Sequence, residues 1–200
     1  MSGRVTCFIL ICFFVSCYTN RGPQQRQTRL LQKGKIKEDT SYVYSLPYDS
    51  GTSHLLIQGY YSAFSHKNRA ALDFKMDRGT RILAAREGIV LRLKENGTTG
   101  GLNKKYRSQG NYVIIEHHDK TRAGYWHLQH NGVLVNIGDT IQKGQLIGLS
   151  GKTGYTALPH LHFLVWTNPR GQWQQVPTRF MTKKGPKYLK PLRRYRKVEG

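Results

Sequence analysis

The sequence predicts a nearly all-β domain over about residues 50–180. Three observations lead there. From residue 42 onward, short apolar segments alternate with Gly, Asn and Asp: 82–85, 88–93, 111–118, 123–128, 132–139, 146–151 and 161–166. They are rich in β-branched and aromatic residues and are bounded by turn formers, which is the signature of strands. Few stretches show the i, i+3, i+4 spacing of an amphipathic helix. Finally, 38% hydrophobic residues, with 12 Tyr, 7 Phe and 3 Trp among 200, suffice for one core and exclude wholesale disorder. The length suits one domain plus extensions. No apolar run reaches the ~18 residues of a spanning helix, which excludes a helical membrane bundle. No fixed period recurs, which excludes coiled-coil, collagen-like and repeat architectures.

Residues 5–18 (VTCFILICFFVSCY) are uncharged and mostly apolar and follow Arg4. A basic start and an apolar stretch of this length read as a secretory signal. The competing reading is a buried strand or core helix. Cys7, Cys12 and Cys17 all fall here, and no cysteine follows. A disulfide framework and thiolate metal sites are thereby excluded from the rest of the chain. Phe14-Val15-Ser16-Cys17 resembles a bacterial lipobox, with Phe where Leu is usual. The expectation is a signal peptide at 1–16 and a membrane anchor through lipid on Cys17. Residues 17–41 are polar and basic, a tether between membrane and domain.

The folded domain is expected at 42–182. Within it, residues 92–110 hold four glycines and no large aliphatic cluster, and read as a mobile loop. The 183–200 tail carries eight Lys/Arg and one Glu. It reads either as a solvated, partly disordered extension or as a contact for anionic wall polymers or lipid headgroups. The formal charge of +21 attracts any polyanion. No DNA- or RNA-binding motif is evident, and an export signal argues against a nucleic-acid partner.

Eight histidines are present, and their arrangement singles out a few. On a strand, His160 and His162 of His160-Leu161-His162 share one face, with Leu161 on the other. Asp73 lies between Leu72 and Phe74, a costly place for a carboxylate unless it is paired or on a metal. A hydrolytic zinc site needs three protein ligands and one open position. His66, Asp73 and one of the His160/His162 pair would supply that set. His127, inside the apolar segment Tyr125-Trp126-His127-Leu128, is either a hydrogen-bonded structural histidine or a general base beside the metal. His117 and His118 read as structural or surface groups, and His54 and His130 as exposed ones. The segment 138–154 is Gly-rich but lacks the Gly-x-x-x-x-Gly-Lys-Ser/Thr pattern, so a phosphate-binding loop is excluded.

Segments 64–74 (FSHKNRAALDF), 79–90, 110–118, 125–128 (YWHL), 138–154 and 159–166 (PHLHFLVW) occur in this order. Together they resemble the lysostaphin-type (LytM-like) zinc metallopeptidases, which cut peptidoglycan. The resemblance spans about residues 54–180. It implies a mainly antiparallel β-sheet with a zinc site in a groove. It assigns His66, Asp73 and His162 as ligands of one Zn²⁺ ion, and His127 and His160 as catalytic. It implies an endopeptidase acting on peptidoglycan cross-links, with a D-Ala–diaminopimelate bond favoured over a glycine bridge. The place of action would be the bacterial envelope (periplasm or outer membrane) or the medium. Some relatives have lost ligands and regulate amidases without catalysis. The complete ligand set here argues for the enzyme.

Overall fold

The structure, a computed structural model, describes residues 22–37 and 42–198. Helix α1 spans Pro23–Lys33, and the strands follow in order. They are β1 (Val43–Tyr44), β2 (Ser53–Gln58), β3 (Ala71–Lys75), β4 (Arg81–Leu83), β5 (Gly88–Lys94) and β6 (Gly100–Gly101). After a 3-10 helix at Lys104–Gln109 come β7 (Asn111–Glu116), β8 (Arg122–Val133), β9 (Thr140–Ile141), β10 (Leu146–Ser150) and β11 (Gly154–Tyr155). The chain ends with β12 (His160–Thr167), β13 (Gln174–Gln175), β14 (Arg179–Thr182), β15 (Gly185–Tyr188) and β16 (Arg193–Arg196).

The main sheet runs β16-β2-β3-β12-β8-β7-β5-β9, with β10 bridging β8 and β4 and β13 on β12. All its pairings are antiparallel, as expected. Two short parallel pairs, β1 with β14 and β6 with β11, stand outside it.

Period-two alternation gives the central strands two unlike faces. Leu72, Phe74, Val113, Ile115, Tyr125, Leu161 and Phe163 point into the main core. The small sheet β1-β14-β15 closes over that face, setting Phe180 edge-to-face with Phe163 (centroids 5.6 Å apart) and with Phe74 (6.3 Å). Burying each such ring contributes about 1.5–3 kcal/mol. The opposite face carries a smaller apolar cluster of Ala71, Leu164 and Trp166, against which Ile114 and Trp126 pack. Gly124 leaves room for the Trp126 ring, which a Cβ there would overlap. This second face is the one that holds Asp73 and His162.

Three expectations need correction. The tether at 17–41 contains α1, which starts on Pro23 at its first turn and ends on Gly34 in the left-handed region. Thr28 and Leu31 of α1 are buried, and Gln32 Nε2 donates to the Leu189 carbonyl at 2.7 Å, so the helix is docked on the domain. The segment 92–110 is ordered by strand and 3-10 structure. Its Asn111 neighbour anchors it, accepting from Gly97 N and donating to Gly97 O, both at 2.8 Å. The tail does not extend freely from 183. β15 pairs with β14, and β16 adds an edge strand to the main sheet beside β2. Tyr188 and Leu189 belong to the core, while Lys183, Lys184, Lys187, Arg193 and Arg194 around them face outward. The signal peptide and Cys17 lie outside the described residues.

Candidate metal centre

Strand pairing brings distant residues to one point. β3 pairs with β12 so that Asp73 lies opposite His162, and β12 pairs with β8 so that His162 lies opposite Trp126. His160 and His162 share a face, as the H-x-H spacing predicts. His66 comes from the connection between β2 and β3, is buried, and lies against the Asp73 carboxylate with its Nε2 3.2 Å from Oδ2. His162 Nδ1 stands 2.7 Å from Asp73 Oδ1, and His160 Nε2 is 3.6 Å from the same oxygen. One candidate ligand atom from each of His66, Asp73 and His162 lies within 4.8 Å of the others.

His127 reaches the site by a backbone irregularity. Strict alternation from core-facing Tyr125 would send His127 into the core. Instead the β7–β8 register slips, Asn111 facing Leu128 and Tyr112 facing Trp126, so His127 is an extra residue in β8. Its φ of 67° is left-handed, which turns the imidazole to the site face. There its ring centroid lies 4.6 Å from that of His160 and 5.9 Å from that of His162. Gly154 (φ 86°) approaches so closely that a Cβ would meet the Gly110 backbone and come within 3.5 Å of His127 Nδ1.

Carbonyls fix the ring orientations. His127 Nδ1–H donates to the Thr153 carbonyl at 2.7 Å. His160 Nδ1–H donates to the Leu158 carbonyl at 2.9 Å, with Thr156 Oγ1 3.1 Å away. His66 Nδ1–H donates to the Gly59 carbonyl at 3.2 Å. In all three the Nε2 lone pair is left for the centre.

Burial pushes the Asp73 carboxyl up, but the His162 charge and the hydrogen bonds from His162 and His66 outweigh it and hold the group well below the ordinary carboxylate range. Burial lowers His127 to about 3, helped by neighbouring His160 and His162. Burial also lowers His162, against the pull of Asp73. A carboxylate 2% exposed, whose ion-pair partners among the described residues are all histidines, is the chemistry of a divalent-cation site.

All five residues singled out in the sequence are brought together. Sequence reasoning missed Gln58. It lies opposite Asp73 across the β2–β3 ladder and donates from Nε2 to Asp73 Oδ2 at 2.8 Å. The same amide donates to Ser65 Oγ (2.8 Å) and accepts from Ser65 N (3.0 Å), next to His66. Strand pairing, which sequence does not display, is the only signal for it. His117 is buried beside Tyr44 and donates to the Glu87 carbonyl at 2.6 Å, and His118 Nδ1 lies 3.2 Å from Arg86 Nη2; both stand apart from the centre. His130 is exposed as expected, whereas His54 is half-buried against Tyr48.

The chain is similar in sequence to known proteins. The family description "Peptidase family M23" matches residues 67–175. Peptidoglycan DD-endopeptidase ShyA of Vibrio cholerae is 35% identical over 91 residues, 46% of this chain and 18% of that protein. Glycyl-glycine endopeptidase ALE-1 of Staphylococcus capitis is 36% identical over 101 residues, 50% of this chain and 25% of that protein. A zinc-containing peptidase from Vibrio cholerae superposes with a TM-score of 0.49 at 24% identity, covering 68% of this chain and 39% of that one. The chain thus spans about a quarter or less of the length of these curated relatives. The family match takes in more than half of the 200 residues, Asp73, His127, His160 and His162 among them: the chain belongs to peptidase family M23.

Proposed function

We propose that this chain is a zinc-dependent endopeptidase that hydrolyses peptide cross-links of bacterial cell-wall peptidoglycan. The observation that carries the proposal is the convergence of His66, Asp73 and His162 within 4.8 Å, with His127 and His160 beside them. Two imidazoles and one carboxylate fit a zinc ion with its fourth position open. His66 would bind through Nε2, His162 through Nδ1 and Asp73 through its carboxylate. When bound, the ion supplies Lewis-acid polarisation of water and of the scissile carbonyl.

The chain's own residues do the proton work. His127 and His160 keep their Nδ1 protons on carbonyls, so each presents a basic Nε2 to the centre. One takes the proton of the attacking water at Nε2 and later gives it to the leaving amine. The other accepts a hydrogen bond from the same water at Nε2 and orients it for attack. Such help is worth roughly 10²–10⁴-fold in rate. The low affinity of buried His127 for a proton keeps its lone pair available at neutral pH.

Relatives named for DD-endopeptidase and for glycyl-glycine endopeptidase activity support a wall cross-link as substrate. Of the two, a D-Ala–diaminopimelate bond is the favoured one and a glycine bridge the second. Action outside the cytoplasm, from the periplasm or outer membrane through lipid on Cys17 or as a secreted protein, rests on the apolar segment at 5–18.

The test is zinc content and release of cleaved muropeptides for the parent, His162→Ala and His160→Ala. About one zinc per chain and cleavage are expected in the parent, loss of both in His162→Ala, and retained zinc with about 10²–10⁴-fold slower cleavage in His160→Ala. A parent that holds no zinc and cleaves no wall preparation would overturn the proposal in favour of a non-catalytic amidase regulator.

A further inference from the structure

A groove of about 910 Å³ runs between the C-terminal end of α1 and the β14–β16 segment. None of the metal-centre residues lines it. Ten lysines and arginines do, and no Asp or Glu among the described residues. Lys33 and Lys37 stand on the α1 side, Lys184 and Lys187 on the β14–β15 hairpin, Arg193 and Arg194 on β16. The pattern begins in the sequence, which has no acidic residue between Asp139 and Glu199. Elsewhere acids and cations pair, as in Asp49–Arg81, Asp119–Arg86 and Glu116–Arg122. The groove thus gathers about half of the surplus positive charge, ten of a net 21.

The site is built by packing. The Gln32–Leu189 hydrogen bond ties α1 to the chain just past β15, and Leu31, Tyr188 and Tyr195 line the groove between the charges. A cleft with apolar walls focuses the field of its cations, so the potential there exceeds that of the same charges on a flat surface. Arginine forks match the oxygens of phosphate, and lysines add mobile point charges. A concave channel suits a linear chain better than the plane of a bilayer.

We propose that this groove binds a linear phosphodiester polymer of the cell envelope, holding the enzyme beside its wall substrate. The tethering role rests on the peptidase reading, while the binding itself does not, since no metal-centre residue lines the groove. The probe is long-chain inorganic polyphosphate, titrated against the intact chain over a range of salt. Lys184→Gln/Lys187→Gln/Arg193→Gln is compared with a charge-matched control outside the groove, Arg78→Gln/Lys143→Gln/Arg170→Gln. Binding to the parent should fall linearly in log–log salt plots. The groove variant should lose about 2 units of that slope, at about 0.7 per phosphate contact, and bind about tenfold more weakly at 0.1 M salt. The control should match the parent. Equal loss in both triple variants would overturn the proposal in favour of diffuse charge. Equal affinity for polyglutamate would overturn the phosphate chemistry, and tighter binding to phosphatidylglycerol vesicles would make the groove a membrane contact instead.

Discussion

Gln58 uses one amide to hold two parts of the metal centre. Its Nε2 fixes Asp73 Oδ2 and its Oε1 takes the Ser65 N–H, so the loop carrying His66 is clamped to the strand carrying Asp73. Partners that orient ligands in this way are typically worth about 10–100-fold in metal affinity. Gln58→Ala should therefore weaken zinc binding by about that factor in chelator competition, with an unchanged circular dichroism spectrum. Unchanged zinc affinity would reduce Gln58 to packing. Part of the candidate ligand set was legible from strand geometry, while His66 and the choice of His162 over His160 came with the family resemblance. A strand repeats every two residues, so His160 and His162 had to share a face, and Asp73 between Leu72 and Phe74 had to point away from the core. For His127 the sequence left two readings open, structural or general base, and the family resemblance favoured the second. Alternation alone buries it, and it takes a bulge and a left-handed φ of 67° to bring it round.

At the scale of elements, the segments misread from sequence are those where charge outnumbers apolar residues. β15 and β16 are mostly exposed, yet Tyr188, the adjoining Leu189 and the partly buried Tyr195 pack against the core. The exchange of solvated cations outward and three apolar groups inward is invisible to a charge count. Leu189→Ala should cost about 2–5 kcal/mol in urea unfolding, because its side chain is fully buried. Leu192→Ala, three residues on and 80% exposed, should change stability by less than about 0.5 kcal/mol. Similar costs for both would mean that this segment does not complete the core. In α1 the signals were present, Pro23 at the start and Gly34 just past the end. Its low content of apolar residues hid them, since only one hydrophobic residue of the helix, Leu31, is buried.

For the whole molecule, the response to acid follows from buried histidines as well as from the metal centre. Burial holds His117 down to about 4, against an ordinary 6.5. Between those values the unfolded chain binds a proton that the folded chain refuses. The His117 contribution is thus full above pH 6.5 and is lost as pH falls through about 4, a change of about 3 kcal/mol. His117→Gln should remove that part of the pH dependence: the stability difference between variant and parent should move in favour of the variant as pH drops across this window. A constant difference from pH 7 to 4 would show that His117 is protonated equally in both states. The charge of the molecule has one more effect. β16 ends the main sheet, and among the described residues one of its edges has no neighbour in that sheet. Open edges invite a second chain to add on. Here the edge reads Arg-Arg-Tyr-Arg, so two copies brought edge to edge would set like charges directly opposite one another. The arginines of β16 that line the groove therefore also disfavour edge-to-edge pairing of two copies.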